Sequence, residues 1–349
     1  MKTVLTGGGT AGHVTPNLAL LPELKKRFDK IYYIGSEKGI ESKLCADKSV
    51  EFYSLPVVKL DRSKIFSNLL IPVKLAKCVK EAKKLLKYLD PDVVFSKGGY
   101  VSLPVCLAAH SLKIPVVAHE SDVTLGLANS IVSKFAECVI TSHRCTKAKK
   151  SIFVGNPLRP ELFKADGKRI AEKYGLPGKK PLLTVVGGSS GSAALNTFIA
   201  ANLDRLTERF EIIHITGNNH DNISKKGYYS KPYADDIFDI FDASDVIISR
   251  AGANAVAEIS AMGKRVVYIP LPKAASRGDQ IINAKAAQAK GIATVIEQED
   301  LSAVKLLTAL DNLMSSPPPK AEKEENVNAK IAEIIFNAAK KSDRFKAAK

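Results

Sequence analysis

A histidine directly follows a glycine-rich loop near the start of the chain. The loop Gly7–Gly12 satisfies the pattern G-x-G-x-x-G between an apolar run and a helical pattern, and His13 comes next. Glycines let a backbone approach a phosphate closely, and the following helix N-terminus favours negative charge. A neutral imidazole placed there could remove a proton from a hydroxyl near neutral pH. His13 is therefore the candidate catalytic base, with a local capping role as the alternative.

A second glycine-rich loop occurs in the other half of the chain. Gly187–Gly191 follows the apolar run Leu182–Val186 and opens a helical pattern, with Ser189 at its centre. One dinucleotide-binding domain needs a single such loop, whereas two phosphate loops suit a transfer between a donor and an acceptor. The alternative is a glycine-rich turn whose serine caps the helix.

Polar residues at two further strand-to-helix junctions could contact a sugar nucleotide. Glu258 lies one turn into a helix after Arg250–Asn254, where a carboxylate could bind both hydroxyls of a ribose. Asp279 and Gln280 open the next helix, where they could bind sugar hydroxyls. Ordinary first-turn acids and helix caps are the alternatives for these residues.

The sequence offers no set of metal ligands for this chemistry. Its one Asp-x-Asp pattern, Asp90–Asp92, precedes a strand and therefore lies at the sheet edge opposite the glycine-rich loops. Patterns such as His-x-x-x-His, Cys-x-x-Cys and the EF-hand loop do not occur. We therefore expect neither a metal nor another cofactor, and we expect backbone amides and helix dipoles to stabilise a leaving phosphate.

Short apolar runs alternate with longer helical patterns, which predicts an α/β fold with parallel sheets and crossover helices. The predicted strands are Thr3–Thr6, Ile31–Ile34, Val93–Ser96, Pro115–His119, Val139–Thr141, Ile152–Val154, Leu182–Val186, Glu211–Ile215, Val246–Ser249 and Arg265–Ile269. The predicted helices span about 15–28, 69–89, 101–111, 168–174, 191–203, 253–262, 279–290, 300–314 and 325–341. The candidate functional residues follow the strands, and ligands of open parallel sheets bind at that edge.

A break in the pattern divides the chain into two domains. Gly155–Pro160 contains two prolines and a glycine, which makes it a poor interior for a helix or strand and predicts a linker. We place the boundary between domains 1–157 and 158–324. Ser315–Pro319 forms a second break, and we expect the last segment, 325–349, to pack back on the first domain.

The composition excludes several classes of protein. With 349 residues and 45% hydrophobic residues the chain is not disordered as a whole. Five scattered cysteines indicate reduced thiols in a cytosolic protein, and no apolar run is long enough for a signal peptide or a membrane span. The net charge of +16 favours an anionic partner. The chain has no tryptophan and its lysines are not clustered with aromatic residues, so we expect no nucleic-acid partner.

One segment combines positive charge with apolar side chains. Residues 59–88 hold nine basic and two acidic residues with interleaved apolar ones. Such a segment could lie on an anionic bilayer surface, with the lysine stems covering apolar contacts. The alternative is an amphipathic crossover helix with a solvated lysine face.

Several motifs occur along the chain in a fixed order: Gly8–His13, Gly98–Ser102, His119-Glu120 with Gly126–Asn129, Gly155–Pro157 with Arg159, Gly187–Ser189, and Arg250–Ala253 with Glu258 and Gln280. Taken in this order, they resemble the MurG family, the N-acetylglucosamine transferases of peptidoglycan synthesis. It implies a GT-B fold, in which two Rossmann-like domains face a deep cleft. It also implies inverting, metal-independent transfer of N-acetylglucosamine from UDP-N-acetylglucosamine to the C4 hydroxyl of the MurNAc in lipid I, which gives lipid II.

The resemblance also implies roles for individual residues. His13 is the catalytic base, Ser189 lies at the diphosphate, and Glu258 lies at the ribose. Arg159 and the backbone around Ala234 lie near the uracil. The other implied substrate-binding residues are Thr10, Ala11, Gly12, Asp122, Asn129, Ala253, Asn254, Asp279 and Gln280.

Three positions depart from the family's pattern. Ala11 stands where the family usually has glycine, which could slightly hinder close approach of the backbone. Asp122 stands where an asparagine is more usual, and Asp279 where a glutamine is more usual. An ionised aspartate accepts hydrogen bonds but donates none, so the sugar contacts at these two positions are open.

Two other functions are alternatives at this point. Another lipid glycosyltransferase of the same fold would share the donor site, because a fold does not fix the acceptor. An NAD-dependent oxidoreductase would use Gly7–Gly12 with Glu37 as the acid after the second strand. The transferase interpretation predicts a peripheral protein on the cytoplasmic face of the cell membrane, with UDP-N-acetylglucosamine, lipid I and the anionic membrane surface as partners.

Overall fold

Two parallel β-sheets organise the chain, one in each of two units. The first unit is Met1–Arg159 with Glu325–Lys349, and the second is Pro160–Glu324. The computed structural model describes residues 1–37, 39–57, 71–218, 223–274, 276, 278–321 and 326–342. The first residues of the predicted helices 69–89 and 325–341, part of the basic segment 59–88, and residues 343–349 of the last segment lie outside the described residues.

The sheet of the first unit has the strand order β3-β2-β1-β4-β5-β6-β7, with every pair parallel. Its strands are β1 Lys2–Thr6, β2 Lys30–Ser36, β3 Glu51–Leu55, β4 Val93–Ser96, β5 Val116–Glu120, β6 Cys138–Thr141 and β7 Ser151–Phe153. The order reverses between β1 and β4, where Thr6 pairs with Ser96. This is the arrangement of a doubly wound sheet, whose ligands bind at the point of reversal.

Helices cover both faces of this sheet. They are α1 Ala11–Ala19, α2 Leu21–Leu24, α3 Glu41–Asp47, α4 Ile71–Leu89, α5 Ser102–Ser111, α6 Leu127–Val132 and, from the end of the chain, α14 Val327–Ala339. One core joins Leu5, Tyr33 and Phe95 of the strands to α1, α2 and α14. The other joins Val4, Val94 and their neighbours to α4 and α5. Because both faces are buried, the central strands are continuous apolar runs rather than alternating ones.

The last helix belongs to the core of the first unit. Ile331 and Ile335 of α14 are fully buried among Leu5, Phe95 and Val117. At the start of this helix the Asn328 side chain donates to the carbonyl oxygen of Leu158 at 2.7 Å and accepts the Leu158 amide at 3.0 Å. The returning helix is therefore fixed to the segment with which the first unit ends.

We expect Ile331→Ala to lower the free energy of unfolding by about 3 kcal/mol, since it leaves a cavity under the first sheet. Urea unfolding followed by circular dichroism measures this loss. Glu333→Ala on the exposed face of the same helix is the matched control and should change little. Equal stability of the two variants would show that α14 does not contribute to this core.

The second unit repeats the arrangement with the strand order β10-β9-β8-β11-β12-β13. Its strands are β8 Leu182–Val186, β9 Glu211–Ile215, β10 Tyr228–Lys231, β11 Val246–Ser249, β12 Arg265–Tyr268 and β13 Thr294–Val295. Its α-helices are α7 Ile170–Lys173, α8 Ala193–Ala201, α9 Leu203–Arg209, α10 Ile237–Ala243, α11 Ala253–Ala261, α12 Asp279–Ala289 and α13 Ala303–Ser315, and short 3₁₀ turns occur at Pro160–Lys164 and Gln298–Asp300. The order reverses between β8 and β11. The predicted α/β class with parallel sheets is confirmed.

The differences from the predicted elements have physical causes. The strands β3, β10 and β13 were not predicted, and each lies at the edge of its sheet, where one side is open and the apolar signal is weak. The predicted helix 15–28 is confirmed in part: α1 begins earlier, at Ala11, and ends at Ala19. Pro22 has no amide hydrogen to continue the helix, so a separate turn, α2, follows. The short helices α3, α6, α9 and α10 were not predicted either.

Candidate active site

The loops after β1 and β4 lie side by side, because these strands are neighbours where the order reverses. The first loop leads to His13 and the second contains Gly99. Gly99 has φ +83°, and a Cβ built on it would lie 2.6 Å from the carbonyl oxygen of Gly8 and 3.1 Å from Cδ2 of His13. Only glycine allows this approach. The imidazole is therefore packed directly against the backbone of the second loop.

His13 lies in the first turn of α1 and is half-buried. Its amide donates to the carbonyl oxygen of Thr10 at 3.1 Å, and Thr10, not His13, holds the N-cap position of the helix. Thr10 and Gly12 are exposed, and Ala11 is half-buried. The predicted base and the three residues before it thus line one accessible helix start.

The loop after β5 is organised around the buried carboxylate of Glu120. That carboxylate accepts the amides of Asp122 at 3.1 Å and Gly126 at 2.9 Å, and the side-chain amide of Asn129 at 3.0 Å. Asn129 also donates to the carbonyl oxygen of His119 at 2.9 Å and is only 2% exposed. The structure therefore uses Asn129 to shape this loop, whereas Asp122 remains half-buried at its surface.

A buried lysine, Lys97, connects this loop to the end of the first unit. Its ammonium donates to Nδ1 of His119 at 2.7 Å, to Oδ1 of Asn156 at 3.1 Å and to the hydroxyl of Ser121. Nε2 of His119 donates to the carbonyl oxygen of Gly155 at 2.9 Å, which fixes the tautomer that leaves Nδ1 as the acceptor. Lys97 thus holds three segments together at the carboxyl edge of the sheet.

Burial sets the protonation of this pair. It lowers the pKa of Lys97 from 10.5 to about 7, and the charges of Glu120 and Asp122 only partly oppose it. Burial, and then the charge of Lys97, hold the pKa of His119 well below its usual range. His119 is therefore neutral and structural rather than a second proton acceptor.

The Lys97 ammonium makes stability depend on pH. The unfolded chain keeps this proton up to pH 10.5 and the folded chain loses it near 7, so the unfolded state binds more protons between these values. We expect the free energy of unfolding of the wild type, relative to Lys97→Met, to rise by at most about 1.4 kcal/mol per pH unit above pH 7. Urea unfolding at several pH values measures this slope.

Lys87→Met, which removes an exposed lysine, is the control and should keep the wild-type slope. Parallel stability profiles for the wild type and Lys97→Met would contradict the shifted titration.

In the second unit the glycine-rich loop after β8 is open. Gly188, Ser189 and Ser190 are exposed, and a Cβ built on Gly188 would meet no atom within 4 Å. The helix α8 follows, with Ser192 as its N-cap accepting the amide of Leu195 at 3.4 Å. Exposed backbone at the start of a helix is suited to bind a phosphate.

A buried guanidinium, Arg250, lies behind this loop. It follows β11, the neighbour of β8, and its Nη2 donates to the Ser192 hydroxyl at 2.6 Å and to Oε1 of Gln298 at 2.7 Å. Its Nη1 donates to the carbonyl oxygens of Ile269 at 2.9 Å and Pro270 at 3.1 Å. Within the described residues, the hydrogen-bond partners of this cation are uncharged. An uncompensated positive charge therefore supports the phosphate-type loop.

The other predicted residues of the second unit lie after β11 and β12. Ala253 and Asn254 are half-buried in the first turn of α11, and Glu258 is buried one turn further on. Asp279 and Gln280 are half-buried in the first turn of α12, and Oε1 of Gln280 accepts the amide of Leu271 at 3.1 Å. Strand order places all of these at the carboxyl edge of the second sheet, where the loop of Ser189 also lies.

The two residues expected near a uracil base are placed differently. Arg159 is half-buried and is the last residue of the first segment of the first unit. Ala234 is only 5% exposed and belongs to a buried apolar cluster with Leu182 and Ile213.

Metal-binding clusters and membrane-spanning helices are both absent from the described part of the chain. No group of three histidine, cysteine, aspartate or glutamate side chains in that part of the chain is arranged to hold a metal ion. No helix there has the length and apolar character needed to cross a bilayer.

Sequence reasoning missed three buried charges. It assigned no role to Lys97, which directly precedes the motif Gly98–Ser102, or to Arg250, which begins the motif Arg250–Ala253, and it did not consider Glu41, which accepts the amide of Gly9 at 2.8 Å. Lys97 and Arg250 each come directly after a continuous apolar strand. This position was the signal that could have found them, because a residue there is buried. For Glu41, 32 residues from Gly9, there was no local signal.

Comparisons with known proteins agree with this arrangement. The model of the glycosyltransferase family 28 N-terminal domain matches residues 3–141, and that of the C-terminal domain matches residues 182–338. The UDP-N-acetylglucosamine--N-acetylmuramyl-(pentapeptide) pyrophosphoryl-undecaprenol N-acetylglucosamine transferase of Clostridium botulinum strain 657 is 43% identical over 320 residues, which cover 89% of this chain and 90% of the relative. The transferase of the same name from Lachnoclostridium phytofermentans is 41% identical, with coverage of 96% and 97%. The crystal structure of Acinetobacter baumannii MurG has a TM-score of 0.76 at 26% identity, with coverage of 96% and 99%.

Two doubly wound sheets, each with a glycine-rich loop at its point of reversal, are the fold of a GT-B protein, and the two family models identify the chain as a glycosyltransferase of this class. The chain belongs to glycosyltransferase family 28, among its MurG members. The family resemblance, the fold class and the assignment as a sugar-transferring enzyme are confirmed, and the transferase is thereby favoured over the oxidoreductase.

Proposed function

We propose that this chain transfers N-acetylglucosamine from UDP-N-acetylglucosamine to the C4 hydroxyl of the MurNAc in lipid I, forming lipid II for peptidoglycan synthesis. The names of its relatives support the two substrates. The observation that carries the mechanism is the contrast between the two loops. The first presents an imidazole, and the second presents open backbone supported by a buried cation. The first domain, 1–157 with 325–349, takes the acceptor, and the second, 158–324, takes the donor.

In the proposed reaction His13 removes the proton from the acceptor hydroxyl. The oxygen attacks the anomeric carbon, the bond from that carbon to the UDP oxygen breaks, and UDP leaves with the bonding electrons. Attack from the side opposite the leaving group inverts the configuration. The half-buried position of His13 beside the Gly99 backbone keeps the imidazole accessible and limits its rotation. Thr10, Ala11 and Gly12 would line the same opening.

The donor's diphosphate would lie on the loop of Ser189. Exposed backbone at Gly188–Ser190 and the N-terminus of α8 supply hydrogen-bond donors, and Arg250 supplies positive charge from beneath. Because negative charge grows on the diphosphate as UDP departs, this preorganised charge stabilises the transition state more than the bound donor.

The remaining predicted residues would bind the other parts of the substrates. Glu258 would accept both hydroxyls of the ribose, Asp279 and Gln280 would contact the N-acetylglucosamine, and Ala253 and Asn254 would line the same site. Arg159 and the backbone at Ala234 would lie near the uracil. Asp122 would face the acceptor, with Asn129 supporting its loop. The cleft expected between the domains stays a prediction.

We expect His13→Ala to lower the rate of transfer by about 10²–10⁴, the contribution of a general base, while UDP-N-acetylglucosamine still binds to the second unit. Release of UDP from a lipid-linked MurNAc-pentapeptide acceptor measures the rate, and calorimetry measures donor binding. His110→Ala, which removes an exposed histidine, is the control. Near-normal turnover of the His13 variant would remove this residue from the mechanism.

Two further measurements separate the alternative functions. Replacing the acceptor by other lipid-linked sugars tests for a different lipid glycosyltransferase of the same fold. A rise in melting temperature with UDP and none with NAD supports the transferase, and the reverse would support the oxidoreductase.

We further propose that the protein is peripheral on the cytoplasmic face of the cell membrane and docks through α4. Lys77, Lys80, Lys84 and Lys87 are exposed, and their spacing of three and four residues places them on one face of this helix. Val73 and Tyr88 near its two ends are 67% and 76% exposed. The opposite face packs into the core of the first unit. Lysines around exposed apolar side chains are suited to an anionic lipid surface.

Replacing Lys77, Lys80 and Lys87 by glutamine should weaken binding to anionic vesicles by about a hundredfold, at about 1 kcal/mol per lysine. Co-sedimentation with vesicles at several salt concentrations measures the affinity, which should fall as salt rises. The matched control replaces three exposed lysines of the second unit, Lys179, Lys226 and Lys290. Equal losses in both triple variants would indicate that net charge, not this helix, binds the surface.

A further inference from the structure

The first glycine-rich loop is held from below by a buried carboxylate. Glu41, the first residue of α3, is fully buried, and its Oε1 accepts the amide of Gly9 at 2.8 Å. The Ser36 hydroxyl lies 3.4 Å from the other carboxylate oxygen. A Cβ built on Gly8 would lie 1.8 Å from Oε1, and one built on Gly39 would lie 1.4 Å from Oε2, so a side chain at either position would displace the carboxylate.

Other side chains occupy the neighbouring backbone groups of this loop. The hydroxyl of Tyr33 donates to the carbonyl oxygen of Gly7 at 2.7 Å, and Asn17 donates to the carbonyl oxygen of Thr6 at 3.2 Å and to the Tyr33 hydroxyl at 3.2 Å. Asn17 and Tyr33 are both fully buried. The polar backbone of the loop is therefore engaged by the protein itself.

The loop of the second unit has the opposite character. Its residues Gly188–Ser190 are exposed, and the charge beneath it is the guanidinium of Arg250. A phosphate at the first loop would have to compete with Glu41 for the Gly9 amide and would lie close to a buried negative charge. Since charges interact strongly where water is excluded, this placement is unfavourable for any anion.

We propose that Glu41 is a positioning residue for the reaction. Its carboxylate fixes the loop Gly7–Gly9 so that His13 meets a neutral hydroxyl, and it keeps the acceptor's diphosphate off the loop amides. The expected change in the transfer rate rests on the proposed function, whereas the hydrogen bond from the Gly9 amide to Glu41 does not. The His13 ring and Glu41 both lie close to Gly8, the ring across the Gly99 backbone and the carboxylate from beneath.

The first test uses the wild-type protein and needs no activity. Inorganic pyrophosphate is added while backbone amide resonances are followed by NMR. We expect the resonances of Gly188 and Ser189 to move and that of Gly9 to stay in place. Movement of the Gly9 resonance at the same pyrophosphate concentration would overturn the proposal. If none of these resonances moves, the proposed donor site is contradicted, while the hydrogen bond from the Gly9 amide to Glu41 remains supported.

The second test compares Glu41→Gln with Ser36→Ala. Glutamine keeps the size and removes the charge, so the Gly9 amide resonance should move upfield and the rate constant of transfer should fall by about tenfold. The KM for UDP-N-acetylglucosamine should not change, because the donor binds the other unit. Loss of the nearby negative charge favours neutral imidazole, so the acid limb of the rate profile should move to lower pH. Ser36→Ala keeps the charge and should leave the kinetics and the Gly9 resonance nearly unchanged.

Equal kinetics and an equal pH profile in Glu41→Gln and the wild type would show that Glu41 only stabilises the fold. Absence of transferase activity in the wild type would contradict the proposed function. The Gly9 resonance would then still test whether Glu41 holds the loop.

Discussion

The reversal of strand order at the centre of each sheet is the constraint on which the site depends. Where the order reverses, the connections from two neighbouring strands leave toward opposite faces, and their loops meet at the carboxyl edge. In the first unit this brings the loop of His13 against Gly99, and in the second it brings the loop of Ser189 in front of Arg250. Residues far apart in sequence thus become neighbours without any special local structure.

The two loops have similar sequences but opposite electrostatic support. A buried carboxylate holds the first and a buried guanidinium holds the second. Because burial removes the solvent that would screen these charges, each charge acts strongly on the loop above it. A loop over a negative charge is suited to a base and a neutral hydroxyl, and a loop over a positive charge is suited to a diphosphate. Under the proposed function, similar glycine patterns therefore serve different chemical purposes in one chain.

The site is also stiffened by polar groups that do not touch the reaction. Lys97 joins the loop after β5 to Asn156, and Glu120 accepts two backbone amides of that loop and the side-chain amide of Asn129 in α6. Burying such groups is costly unless their hydrogen bonds are satisfied, so each network fixes one arrangement of the backbone. These networks stiffen the carboxyl edge of the first sheet, and catalysis by positioning requires such a rigid base.

The sequence by itself determined the α/β class, the central strands and the order of the family motifs, because continuous apolar runs and glycine-rich turns are local signals. It located His13 and Ser189 from the same signals. Only the tertiary structure decided which charges lie beneath the loops, since Glu41 and Gly9 are 32 residues apart and Arg250 and Ser192 are 58 apart. It also decided that Asn129 supports a loop and that β3, β10 and β13 form edge strands of the two sheets. Contacts of this kind depend on how strands pair across the sheet, and no short stretch of sequence encodes that.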